Sequence, residues 1–126
     1  MNTSYHRSLK VIFLVNAILG GIVGIQHIII PQLTGNLANV NLPSPILYRL
    51  VGAAVFSFAF ASGLAYREKK RENVRIVVWM QVSWSFLGAV IIALGILAGK
   101  LPSIEWPNAI LLFIFAIAFT WSWYLK

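Results

Sequence analysis

The stretch LKVIFLVNAILGGIVGIQHIII, residues 9–30, carries one charge, Lys10 at its start, and one histidine, His27, near its end. As a helix rising about 1.5 Å per residue it would extend about 33 Å, enough to cross a hydrocarbon core about 30 Å thick. The run is continuous and too long for the alternating strands of a barrel, so a membrane-spanning helix is the expected form. Three more runs of this kind follow, at about 46–66, 74–98 and 108–125.

Composition agrees with that reading. The 126 residues are 60% hydrophobic and 10% charged, with a mean hydropathy of +0.83. A soluble domain carries about a quarter of its residues as charges, so the solvent for this chain is lipid. The amino-terminal region is basic like the start of a signal peptide. The first run is nevertheless too long for an h-region, and no small-residue cleavage site follows it before Pro31. Cysteine is absent, which removes disulfides, thiolate metal sites, iron–sulfur ligation and cysteine nucleophiles.

The net charge of +7 is placed where a membrane protein needs it. Arg7 and Lys10 precede the first run, Arg67, Lys69, Lys70, Arg71 and Arg75 surround the second connection, and Lys126 follows the fourth run. In an even-numbered set of spans all of these fall on one side, while Arg49 and Lys100 with Glu105 fall on the other. The positive-inside rule then predicts cytoplasmic termini, in a prokaryotic cytoplasmic membrane on the simplest reading. Basic residues beside apolar runs point to anionic lipids as partners and away from nucleic acid.

The connections predict an antiparallel up-down-up-down four-transmembrane-helix bundle, an all-α membrane fold in one domain spanning 1–126, with no internal repeat. Pro31, Pro43 and Pro45 bracket an outer segment rich in Asn, Leu and Gly, whose prolines are expected to stop the first helix and delay the second, leaving a lid on the outer surface. The shorter connection, 99–107, places Trp106 at headgroup level, and Trp121, Trp123 and Tyr124 beside Lys126 read as an interfacial aromatic anchor.

Within the first run, Asn16, Gly20, Gly24 and His27 recur at spacings of four, four and three, which makes one narrow face. Such a face is expected to meet protein, because Gly20 and Gly24 fit the small-xxx-small pattern by which helix backbones approach closely. In the third run Gln81, Ser85, Gly88 and Gly95 share roughly one face, and Gln81 and Ser85 are candidate hydrogen-bond partners for Asn16. Ser57 and Ser62 are expected to bond carbonyls of the preceding turn.

His27 and Arg49 are the candidate binding pair. Counted along the helices, His27 lies roughly 25 Å beyond Lys10 and Arg49 roughly 27 Å before Arg67, so both reach the outer interface. Gln26 is adjacent, and Glu105 is a candidate from the second outer connection. Arginine offers a fixed forked cation and histidine an exchangeable proton, a combination suited to an anionic headgroup, a quinone-like carbonyl or a small polar ligand. The competing reading is structural: arginine snorkels to the interface and histidine bonds a carbonyl.

No catalytic set is recognisable. No serine has the histidine and carboxylate partners of a hydrolase, and no acidic pair lies within a span for proton or sodium transfer. His6, in the amino-terminal tail, and His27 lie at opposite ends, so no metal site or two-histidine haem is expected within one chain. A quinone, or a haem with a single ligand, stays open. Asn2-Thr3-Ser4 matches a glycosylation acceptor, but a cytoplasmic tail would not be glycosylated.

The segment Tyr48-Arg49-Leu50-Val51-Gly52-Ala53-Ala54, followed by Gly63 and a basic connection, resembles the second-helix region of small DoxX-like four-helix membrane proteins. That resemblance implies a compact bundle associated with a respiratory or redox membrane complex, with Arg49 as a polar contact and Gly52 as a close-packing site. Two functions follow as expectations. The first is a non-catalytic integral membrane subunit or scaffold that packs against itself as a homo-oligomer or against a larger complex. The second is a small-molecule, lipid or quinone-binding protein, a transporter or redox component, that uses the pocket around His27 and Arg49.

Overall fold

The computed structural model describes residues 7–38 and 44–125. His6, the Asn2-Thr3-Ser4 acceptor pattern, Pro43 and Lys126 lie outside the described residues. Among the described residues, four helices are long and apolar enough to cross a membrane. They are α1 (Arg7–Ile29), α3 (Pro45–Arg67), α4 (Arg71–Leu97) and α5 (Trp106–Tyr124), and α2 (Gln32–Ala38) is a short helix between the first two. No strand occurs among the described residues. The chain is therefore an all-α integral membrane protein with four spanning helices. Its residues fall into two compact units, Phe13–Tyr66 and residues 7–12 with 67–125.

In the first unit α1 and α3 run antiparallel, and glycine sets their separation. A Cβ placed on Gly24 would come within 2.7 Å of the Phe56 backbone nitrogen, and one on Gly52 within 2.8 Å of the Gly24 carbonyl oxygen. Gly20 faces the Ala59 methyl group at 3.0 Å by the same construction. Without a hydrophobic effect between helices in lipid, this approach of backbone to backbone supplies the van der Waals contact that holds the pair. Nearer the other end of the pair, the Asn16 amide donates to Ser62 Oγ at 2.7 Å. Asn16 thus has a partner on α3, Ser62, besides the α4 candidates Gln81 and Ser85, because spacing along one helix does not say which helix its face meets.

The second unit packs by a different rule. A Cβ on Gly88 would meet Leu112 Cδ1 at 3.0 Å, and one on Gly95 would meet Leu101 Cδ1 at 2.8 Å. Side chains, not backbone, occupy the space these glycines leave. Val74, Val78, Gln81, Ser85 and Ala89 are buried at helical spacings along α4, and Ala109, Phe115, Ala116, Phe119 and Ser122 are buried on α5. α4 ends in a Schellman turn. Gly99, at φ 70°, donates to Ile96 O at 3.0 Å while Lys100 donates to Gly95 O at 2.8 Å, and only glycine enters this left-handed conformation without cost.

Two boundaries differ from the sequence expectation for physical reasons. Pro31 ends α1 because it has no N–H to continue the ladder, but the chain re-enters helix at once as α2, with Leu33 N–H bonded to Ile30 O at 3.1 Å. The lid-like connection is thus partly helical, over Gln32–Ala38. α4 starts at Arg71, earlier than the apolar run, because a polar first turn is invisible to hydropathy. Just before it, Glu68 Oε1 accepts the N–H groups of Lys69 at 2.8 Å and Lys70 at 3.1 Å.

Candidate functional site

The last turn of α1 and the first turns of α3 bring His27, Tyr48 and Gly52 together. Gly52 lies against the His27 Cβ, where an added Cβ would come within 2.7 Å. Tyr48, one turn before Gly52, therefore meets the His27 ring, and the two rings stack with centroids 5.9 Å apart and an interplanar angle of 14°. His27 Nδ1 lies 2.9 Å from the Val23 carbonyl oxygen. A carbonyl only accepts, so Nδ1 carries the proton in the neutral ring and Nε2 is left as the acceptor.

The neighbouring candidates are arranged differently. Gln26 turns its amide to its own helix end and donates at 2.8 Å to Ile30 O, a carbonyl that also accepts from the Leu33 N–H. Arg49 follows Tyr48 and is exposed. Its guanidinium is a fixed cation one residue along α3 from the stacked Tyr48. Glu105 belongs to the other unit, where its carboxylate accepts from Asn108 Nδ2 at 2.6 Å at the start of α5.

The polar residues inside the spans are engaged. Asn16 holds Ser62, Ser57 donates to Ala53 O at 2.8 Å and Thr120 to Ala116 O at 2.7 Å. Gln81 and Ser85 are buried on α4. Among the described residues, every buried side-chain nitrogen or oxygen has a partner, and no three His, Cys, Asp or Glu residues gather as a metal site would require.

A second arrangement ties the start of α4 to the end of α5, and no sequence spacing points to it. Arg71, the first residue of α4, donates to the Trp123 carbonyl in the last turn of α5. Its guanidinium carbon also stands 4.3 Å from the centroid of the Trp123 ring. The cation meets the negative end of the α5 dipole and the electron-rich face of indole together. Arg71 is one of five basic residues between 67 and 75, and nothing in its local sequence separates it from the other four.

Glu68 is the titratable group outside the spans whose environment is decisive. The Lys70 and Lys69 backbone N–H groups, with help from the Asn73 side chain, hold its carboxyl below the usual carboxylate range. No family model, curated protein or solved structure matches the chain.

Proposed function

We propose that this integral membrane protein is a non-catalytic subunit or scaffold, which presents an apolar surface to lipid and to neighbouring chains. The observation that supports this reading is the engagement of its interior. Each buried side-chain nitrogen or oxygen among the described residues is already partnered, and the space at Gly20, Gly24 and Gly52 is filled by the chain's own helices. What remains outward is large and aliphatic, as at Ile22, Ile46, Leu50, Ile76, Ile91 and Leu97. Partners on such a surface are a second copy or other membrane subunits. The DoxX-like character of 48–54 supports the same reading, with Arg49 and Gly52 as the positions carried over.

On this proposal both termini and the 67–75 connection face the cytoplasm of a prokaryotic cell. Since the chain has no cysteine, Lys69→Cys and Ser103→Cys report orientation directly. In sealed right-side-out vesicles an impermeant maleimide should label the second and spare the first. Native mass spectrometry in mild detergent tests the role itself. Stoichiometric copies or companion chains are expected, and a lone chain with one tightly held small molecule would overturn it.

A second reading is favoured by one observation, the stacked His27–Tyr48 pair, with exposed Arg49 next to Tyr48 in the chain. It is a lipid, quinone or small-molecule site at that end of the α1–α3 pair. Its mark would be a bound molecule, or a thermal shift on adding one, that disappears in His27→Ala and Arg49→Ala.

A further inference from the structure

The α3–α4 connection carries more charge than orientation alone requires. Between 67 and 75 stand Arg67, Lys69, Lys70, Arg71 and Arg75 with Glu68 and Glu72. The structure divides these residues into two groups. Arg71 is committed to the end of α5, through the Trp123 carbonyl and ring. Glu68 is committed to the backbone N–H groups of Lys69 and Lys70, so the carboxylate in the middle of the run is turned onto the chain itself. Arg67, Lys69, Lys70 and Arg75 are exposed, as is Glu72, which leaves four outward cations against one outward carboxylate.

Their height in the membrane follows from helix lengths. α3 has 23 residues and α4 has 27, so they extend about 34 and about 40 Å against a core about 30 Å thick. Only residues 68–70 join them, which puts the connection at phosphate level. Arg75, one turn into α4, reaches the same zone along its flexible stem. The Arg71–Trp123 contact provides an independent marker of height. It registers the end of α5 against the start of α4, and Trp121 and Tyr124 there are 69% and 67% exposed. Aromatic rings with a polar edge settle at the headgroup boundary. Basic residues and interfacial rings thus share one level.

We infer that this end of the α4–α5 unit is a binding surface for anionic phospholipid headgroups, with Arg67, Lys69, Lys70 and Arg75 as the phosphate-binding residues and Trp121 and Tyr124 as the rings that flank the acyl boundary. Arg71 is not part of it. The inference does not depend on the scaffold reading, since a carrier or a subunit would bind such lipids equally.

That division of labour supplies the test. Protein purified in mild non-ionic detergent is offered equal amounts of phosphatidylglycerol and phosphatidylcholine, and retained lipid is read by native mass spectrometry, while melting in phosphatidylcholine reports folding. Wild type should retain phosphatidylglycerol in preference, less so at high salt. Lys69→Gln with Lys70→Gln should lose about tenfold of that preference with its melting unchanged, and the arginine pair at both positions should restore it. Arg71→Gln, which removes the same charge per residue, should keep the preference and lower the melting temperature. Equal retention of the two lipids by wild type would overturn the assignment. So would an equal loss of preference per charge in Arg71→Gln, which would leave net charge as the cause. An acidic protein that copurifies and is lost in the lysine double variant while lipid preference is unchanged would overturn it in favour of a protein partner.

Discussion

The α1–α3 pair and the α4–α5 pair answer one requirement, holding two helices together where lipid is as apolar as the side chains, in opposite ways. In the first, atoms are removed until backbone meets backbone at Gly24, Gly52 and Phe56. In the second, leucine side chains fill the places opposite Gly88 and Gly95, and a cation closes the far end. A backbone contact is rigid. A leucine tip rotates away from an intruding methyl group, so the two pairs should differ in how they tolerate added volume.

The most severe break is Gly24→Val. Its side chain would enter the space of the Phe56 backbone, and a loss of about 3 kcal/mol or failure to assemble is expected, read by thermal or denaturant unfolding in detergent. Gly21→Ala is the matched control. Nothing lies within 4 Å of a Cβ there, so it should be neutral or gain up to about 1 kcal/mol from helix propensity. Equal damage from both would remove the close-approach account of this pair.

On the other pair, Arg71→Ala should cost about 1–2 kcal/mol through the lost helix-end charge and ring contact, with Arg71→Lys recovering part of it. Asn16→Ala removes the donor to buried Ser62 and should cost about 0.6–1 kcal/mol, the usual worth of a hydrogen bond between spanning helices. Gly88→Ala should cost less than about 1 kcal/mol, because Leu112 Cδ1 can move, and a loss as large as that of Gly24→Val would erase the contrast.

The smallest effect is in pH. The folded carboxyl of Glu68 is held below its ordinary value, so its contribution to stability is complete above the unfolded carboxylate range and is lost as pH falls through the lowered folded value. Melting curves of wild type and Glu68→Gln should therefore differ at neutral pH and converge in acid. Curves that stay parallel through that range would detach Glu68 from the start of α4.

The four spans were legible because each is an unbroken apolar run with basic residues at its ends. Gly20 and Gly24 were legible as a packing face from their spacing alone. The identity of the opposing helix was not, since a stripe on α1 says nothing of Ser62, Ala59 or Phe56. α2 was hidden by Thr34-Gly35-Asn36, whose residues favour turns in isolation. The His27–Tyr48 stack follows from Tyr48 and Gly52 standing one turn apart on α3, a signal available only after Gly52 is known to touch His27. Arg71 was the least legible residue, because its partner lies on α5 and its neighbours in sequence are equally basic.

The contact of Gly24 with Phe56 also bears on how the gene can drift. Glycine has no smaller replacement, so every missense change at codons 24 and 52 adds atoms where none fit, whatever their polarity. Those two codons should be nearly silent to variation, while the lipid-facing isoleucines around them exchange freely with valine and leucine.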